Sequence, residues 1–318
     1  MVNNVHEGGC LCGAMRYRAT AGPSGTATHC FCRMCRKANG GTFVTWVEHA
    51  TESLVFTKGE PARFRSSDLA ERSFCRTCGC QLTFQAVGDP GGVPAVTWIA
   101  LGSLDQPGDI VPTHHIFTDD QPSWLHLQDE LPRWPSQLPW LRTQDELARP
   151  TVPEDDRHKD QSTALQADAP FEGGCLCGDV RYCATAGEAP ATGHCHCGMC
   201  RKATGATLFS WIEIASENFA IIKGRPRHFR SSHLAERTFC GRCGGHIAFQ
   251  FASNPEEDPE SFWVTLGSTD RPGAFDPTHQ IYMDDRIHWL HLSGDLQSWP
   301  GQLSWLRSDE NLSSSNPT

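Results

Sequence analysis

The 318-residue sequence predicts two tandem, mainly β domains, and three observations carry that expectation. Seven cysteines recur in the same order 165 positions apart: Cys10, Cys12, Cys30, Cys32, Cys35, Cys75 and Cys78 return as Cys175, Cys177, Cys195, Cys197, Cys200, Cys240 and Cys243. Aromatic and turn residues keep the same register. Trp98, Leu101-Gly102-Ser103 and Pro107-Gly108 match Trp263, Leu266-Gly267-Ser268 and Pro272-Gly273, and Trp124-Leu125-His126-Leu127 matches Trp289-Leu290-His291-Leu292. A period this long describes whole domains, not solenoid units. The third observation is local: short β-branched and aromatic runs are punctuated by Gly and Pro, and no apolar stripe of helical length appears.

Taken in order, Gly8-Gly9-Cys10-Leu11-Cys12-Gly13 reads as a turn, and Met15-Arg16-Tyr17-Arg18 alternates as a strand. Thr42 to Val47 and Thr207 to Ile212 are β-branched and aromatic, which favours strands. Leu54-Val55-Phe56, Gly59 and Ala62 to Ser66 read as a hairpin. Leu82 to Gln85 and Val96 to Ile99 read as a further strand pair. Short helical turns are expected only around Met34–Ala38 and Met199–Ala203. The domains are placed at 1–147 and 170–312. A polar, proline-bearing linker at 148–169 joins them, and 313–318 form a tail, because such segments lack apolar area to bury.

The net charge is −10, with Lys and Arg scattered rather than clustered, so no nucleic-acid footprint is expected. No apolar leader and no run of 18 apolar residues occurs, so neither membrane insertion nor secretion is expected, and the expected location is the cytoplasm. In that setting sixteen cysteines favour metal thiolates over disulfides.

Seven cysteines divide into four plus three. A C-x-C and a C-x-x-C (Cys10, Cys12, Cys75, Cys78, and likewise Cys175, Cys177, Cys240, Cys243) together close a tetrahedral site, although spacing alone leaves the pairing open. Four thiolates suit zinc and also a rubredoxin-like iron. The compact trios Cys30/Cys32/Cys35 and Cys195/Cys197/Cys200 supply three ligands, and the fourth position is either open to substrate or closed by a His or a leftover Cys. Cys80 and Cys183 have no counterparts and are expected to be ordinary thiols. His114 and His279 are candidates to reach the trios, with a hydrogen-bonded core role as the simpler expectation. Arg36-Lys37 and Arg201-Lys202 either raise the local positive potential or are solvated charges. Ser66-Ser67 with Arg72, and Ser231-Ser232 with Arg237, either bind carboxylates or satisfy backbone groups. Trp46, Trp211, Trp98 and Trp263 are expected in the core.

The segments GGCLCGxxRY, CxCxMCRKAxG, RSSxLAERxFCxxCG and LGSxDxPG, present in that order in both halves, resemble the glutathione-dependent formaldehyde-activating enzyme family, also called the CENP-V/GFA domain. The resemblance implies an Mss4-like β fold with two Zn2+ per domain. Its structural ion would be held by Cys10, Cys12, Cys75 and Cys78, and by Cys175, Cys177, Cys240 and Cys243. Its catalytic ion would be held by Cys30, Cys32 and Cys35, and by Cys195, Cys197 and Cys200. It also implies a small-molecule substrate, with glutathione meeting formaldehyde to give S-hydroxymethylglutathione, a carbon–sulfur lyase or synthase activity. The sequence departs from the family pattern in its duplication and in Phe31, which stands where the second half has His196. Two alternatives follow: a non-catalytic zinc-stabilised binding module, or one active and one degenerate domain. The exact repeat also leaves room for the two domains to pack as a pseudo-dimer.

Overall fold

The computed structural model describes residues 5–22, 25–87, 95–136, 169–187, 190–233, 235–251 and 260–301. The expected tail, and the linker up to residue 168, lie outside these residues. The first half comprises β1 (Val5–Gly9), β2 (Arg16–Thr20), β3 (Ala27–Cys30), α1 (Arg33–Asn39), β4 (Val44–Ala50), β5 (Val55–Lys58), β6 (Ala62–Ser67), β7 (Ala70–Phe74), β8 (Gln81–Ala86), β9 (Val96–Ala100) and β10 (His114–Ile116). The second half repeats them as β11 (Pro170–Gly174), β12 (Arg181–Thr185), β13 (Thr192–Cys195), α2 (Gly198–Thr204), β14 (Phe209–Ala215), β15 (Phe219–Lys223), β16 (Arg227–Arg230), β17 (Ala235–Phe239), β18 (His246–Phe251), β19 (Ser261–Thr265) and β20 (His279–Ile281), then adds β21 (Gln297–Ser298). The protein is therefore mainly β, and the two α-helices among the described residues are seven residues long, so no described helix is long and apolar enough to cross a membrane.

Each half has a small sheet, β1-β2-β5 or β11-β12-β15, and a large one. The large sheets run β10-β3-β4-β9-β8-β7-β6 and β16-β17-β18-β19-β14-β13-β20-β21. The expected pairing of β8 with β9 is present, with Thr83 opposite Ile99. The expected hairpin of residues 54–66 is not. β5 pairs with β2 in the small sheet and β6 pairs with β7 in the large one. Gly59, at φ +72°, followed by Pro61, turns the chain out of the first sheet instead of back on itself.

The central strands β4 and β14 are buried almost end to end. Leu82, Ile99, Leu101, Phe31 and Phe43 are fully shielded in the core of the first half, and Leu208, Ile287 and Leu290 of the second half pack into the same cluster. In return Phe64 and Trp124 pack against the core of the second half. Backbones meet where the two LGS turns touch the opposite helix ends: Gly102 N–H donates to Gly205 O at 3.2 Å and Gly267 N–H to Gly40 O at 3.1 Å. Only glycine permits this approach, since a Cβ on Gly102 would lie 2.2 Å from Ala206 O and one on Gly267 would lie 2.1 Å from Gly41 O.

Candidate metal centres

The four-cysteine sets form as the spacing implied. The sulfurs of Cys10, Cys12, Cys75 and Cys78, and those of Cys175, Cys177, Cys240 and Cys243, all lie within 4.8 Å of one another. Cys12 Sγ is 3.4 Å from Cys10 Sγ and 3.6 Å from Cys75 Sγ. A tetrahedral zinc with Zn–S of about 2.3 Å places its sulfurs about 3.8 Å apart, so the donor set fits that ion. Backbone amides add to the fit: Met15 N–H donates to Cys10 Sγ at 3.3 Å and Val180 N–H to Cys175 Sγ at 3.4 Å, stabilising thiolate charge. Each set clips the turn after the first strand to the turn between β7 and β8, or between β17 and β18.

The trios are built differently. Cys30 ends β3, Cys32 is the N-cap of α1 and Cys35 lies in its first turn, with Cys35 N–H donating to Cys32 Sγ at 3.4 Å. The same cap recurs at Cys197 with Cys200 N–H at 3.3 Å. A helix that starts inside the motif thus folds three sulfurs onto one point. No other His, Cys, Asp or Glu ligand atom joins either trio within 4.8 Å among the described residues. His114 Nε2 bonds instead with Thr28 Oγ1 at 3.0 Å, and His279 stands edge-on to Trp211. Cys80 is buried outside both sets, and Cys183 is half-buried on β12.

In each trio the thiol pKa of the third cysteine is lowered and that of the first is raised. Cys35 is drawn well below its usual range by its bonds to Cys30 and Cys32, with Arg72 adding to the effect. Cys200 behaves alike through Cys195, Cys197 and Arg237. Cys30 is pushed well up by its bonds to Cys32 and Cys35 and by burial. Trp46 Nε1–H donates to Cys35 Sγ at 3.4 Å, so this tryptophan is both core and ligand support.

Of the basic residues after each trio, Lys37, Arg201 and Lys202 bond to backbone carbonyls and carboxylates. Lys37 crosses to the second half, donating to Ser268 O at 2.5 Å and Asp270 Oδ1 at 2.6 Å. Lys202 crosses back to Ser103 O at 2.7 Å and Asp105 Oδ1 at 2.6 Å. Arg201 donates to the backbone carbonyl of Asp285 at 2.9 Å. Ser66 and Ser231 satisfy the carbonyls of Ala70 and Ala235, each at 3.2 Å, whereas Arg72 and Arg237 turn inward to the trios.

His196 is also explained. Its Nε2 bonds with Gln280 Oε1 at 3.0 Å, away from the trio. At the matching place Phe31 stacks on His115, with centroids 5.6 Å apart, and His115 Nε2 pairs with Asp129 Oδ1 at 2.8 Å. Phe31, His115 and Asp129 therefore replace His196, Gln280 and Gly294 as a unit. This exchange was not legible in the sequence, because the first and last of the three positions lie almost a hundred residues apart.

A cleft of about 180 Å³ opens between the halves, lined by Arg33, Met34 and Lys37 of α1 and by Cys175, Leu176, Gly178 and Arg181 across from it. Asp270 sits at its edge, bound to Arg181 at 2.6 Å and 3.7 Å from Arg33.

A protein of Halomonas elongata named for glutathione-dependent formaldehyde activation is 27% identical over 132 residues, which cover 38% of this chain and 80% of that protein. A crystal structure of a Rhodobacter sphaeroides protein covers 31% of this chain and 86% of its own at 22% identity, with a TM-score of 0.26, too low to bear on the fold. The sequence model of the family described as "Glutathione-dependent formaldehyde-activating enzyme" matches residues 5–120 and again 170–285. With two matches spanning more than half of its length, one over each cysteine constellation, the chain belongs to the glutathione-dependent formaldehyde-activating enzyme family.

Proposed function

We propose that each half is a zinc–thiolate unit for carbon–sulfur bond chemistry, joining a thiol to a small electrophile, with glutathione and formaldehyde giving S-hydroxymethylglutathione as the first reaction to test. The observation that carries this is the three-sulfur set beside a complete four-sulfur set in each half. Structural zinc sites are closed, whereas reactive ones keep a position free. Full loading is four zinc ions per chain, two held by the quartets and two by the trios. When bound, zinc at a trio supplies Lewis acidity toward a sulfur or carbonyl ligand.

The residues of the chain then divide the work. Cys30, Cys32 and Cys35, with Cys195, Cys197 and Cys200, hold the ion. Trp46 and Arg72 fix Cys35, and Arg237 fixes Cys200. Among the residues lining the cleft, Lys37 and Arg181 are already paired with Asp270, so the exposed Arg33, 3.7 Å from that aspartate, is the cation left to meet a carboxylate of the thiol substrate. Pockets that enclose drug-sized ligands measure about 300–1,000 Å³, so a peptide thiol would lie partly in solvent in this smaller cleft. In the synthetic direction a carbon–sulfur bond forms as the carbonyl π bond breaks. The proton lost by the thiol ends on the former carbonyl oxygen, so the step balances without an oxidant, and its reverse is the lyase direction.

Both halves are active in this reading, because the exchange of His196 for Phe31 leaves the trio geometry the same. The two domains act as a pseudo-dimer in the cytoplasm, joined through the linker at 148–169. The test is the exchange rate between formaldehyde, glutathione and their adduct, followed by NMR on protein of known zinc content. Acceleration over the spontaneous rate is expected, with a loss of at least about a hundredfold in Cys32→Ala/Cys197→Ala, since a metal-supported step is removed. Protein holding four zinc ions with no acceleration would leave the binding-module reading in its place.

A further inference from the structure

The structure buries one arginine beside each trio with almost no other partner. Arg72 on β7 is 2% exposed, and its Nη2–H donates to Cys35 Sγ at 3.4 Å. Its guanidinium lies 5.0 Å from the centroid of Phe84 and 5.6 Å from that of Trp46. Arg237 on β17 repeats this at 2% exposure, with Nη2 3.4 Å from Cys200 Sγ and the guanidinium over Phe249 at 5.2 Å and Phe209 at 5.8 Å. Neither pairs with a carboxylate among the described residues, and Nε and Nη1 of Arg72 and Nε of Arg237 have no hydrogen-bond partner there.

A shielded guanidinium is a costly feature unless something answers its charge and its donors. The trio supplies part of the answer. Three thiolates and a divalent ion carry one net negative charge, which one guanidinium cancels. The quartets carry two. A trio with its arginine therefore accepts one further anion and still holds less negative charge than a closed quartet. The planar fork keeps its unused N–H groups within the same small space as the bonded sulfur.

From this we infer that Arg72 and Arg237 are the anion-holding residues of the two trio sites. One N–H of each anchors the third cysteine, and the remaining N–H groups hold a small anionic ligand, a thiolate or an oxyanion, at the side of the metal that the protein leaves free. The inference rests on the reading of the trios as metal sites. It extends that reading by making the preferred fourth ligand an anion and by naming the group that selects it.

The experiment is an azide titration of the full-length protein loaded with cobalt(II), read from the visible d–d bands, with the quartet bands serving as an internal report of folding. The wild type is expected to show a saturable change in the trio bands. In Arg72→Met/Arg237→Met, azide affinity is expected to fall at least tenfold while the quartet bands stay unchanged. Arg72→Lys/Arg237→Lys keeps the charge but not the fork, and covers the case in which the methionine variant loses its trio metal. A fall of threefold or more in that variant supports the inference. Azide affinity equal to wild type in cobalt-loaded variants overturns it, as does a wild type whose loaded trios do not respond to azide. Trios that take up no cobalt at all would overturn the metal reading itself, a separate result visible as missing absorbance before any azide is added.

Discussion

Lys37 and Asp270 form an ion pair at 2.6 Å between the two halves, and Lys202 with Asp105 returns it at 2.6 Å. Each lysine follows a trio, and each aspartate follows the LGS turn of the opposite half. The helix that carries the trio of one half is thus anchored on the other.

Removing these latches should destabilise the whole chain unequally. Lys37 is only 6% exposed, against 23% for Lys202, so Lys37→Met strands more polar surface. A loss of about 1–3 kcal/mol is expected for Lys37→Met, because Asp270 keeps Arg181, and about 0.5–1 kcal/mol for Lys202→Met. Urea unfolding midpoints at constant m-value measure both.

The two aspartates also set an acid limit. The bond from Arg16 draws Asp105 down to about 2. Burial alone would raise Asp270, but Arg181 and Lys37 outweigh it and hold it at about 2. A carboxylate depressed in the folded state contributes stability that is complete above its unfolded pKa of about 3.9 and is lost as pH falls through its folded value. Melting temperatures should therefore fall between about pH 4 and pH 2, and Asp105→Asn/Asp270→Asn should flatten that part of the curve. An unchanged slope would assign it to other groups.

The close approach of the LGS turns predicts a steric result. Gly102→Ala and Gly267→Ala each place a methyl group against backbone that cannot move aside, so a loss of about 1–3 kcal/mol is expected from overpacking. Thermal melts check this, with Gly13→Ala as a control for glycine conformation alone, since a Cβ there meets nothing within 4 Å.

His196→Phe should cost stability rather than zinc. The substitution leaves Gln280 Oε1 without its partner in a half-buried site, for an expected loss of about 0.5–1.5 kcal/mol. Trio metal content should stay at the wild-type level, because His196 lies outside the ligand set. Adding Gln280→His should recover only part of the loss, since Gly294 supplies no counterpart of Asp129. Elemental analysis alongside a double-mutant cycle separates the two effects.

Strand content, both helical turns and both cysteine sets were legible because each depends on residues close in sequence or on an exact repeat. The alternation of residues 15–18 and the β-branched run at 42–47 fix local backbone preference, and they became β2 and β4. The run at 54–66 misled because both strands are genuine while their partners lie elsewhere in the chain. Lys37 and Arg72 looked alike as cations near cysteines, yet one crosses to the other half and the other turns onto a sulfur.

By itself the sequence determined the duplication, the β character and the division of seven cysteines into four and three, since ligand type and spacing carry that chemistry directly. Only the tertiary structure decided which charges face the cysteine trios and which join the halves. A side chain's role follows from what packs around it, and in this fold those neighbours come from strands and turns distant in the chain, many of them in the other half.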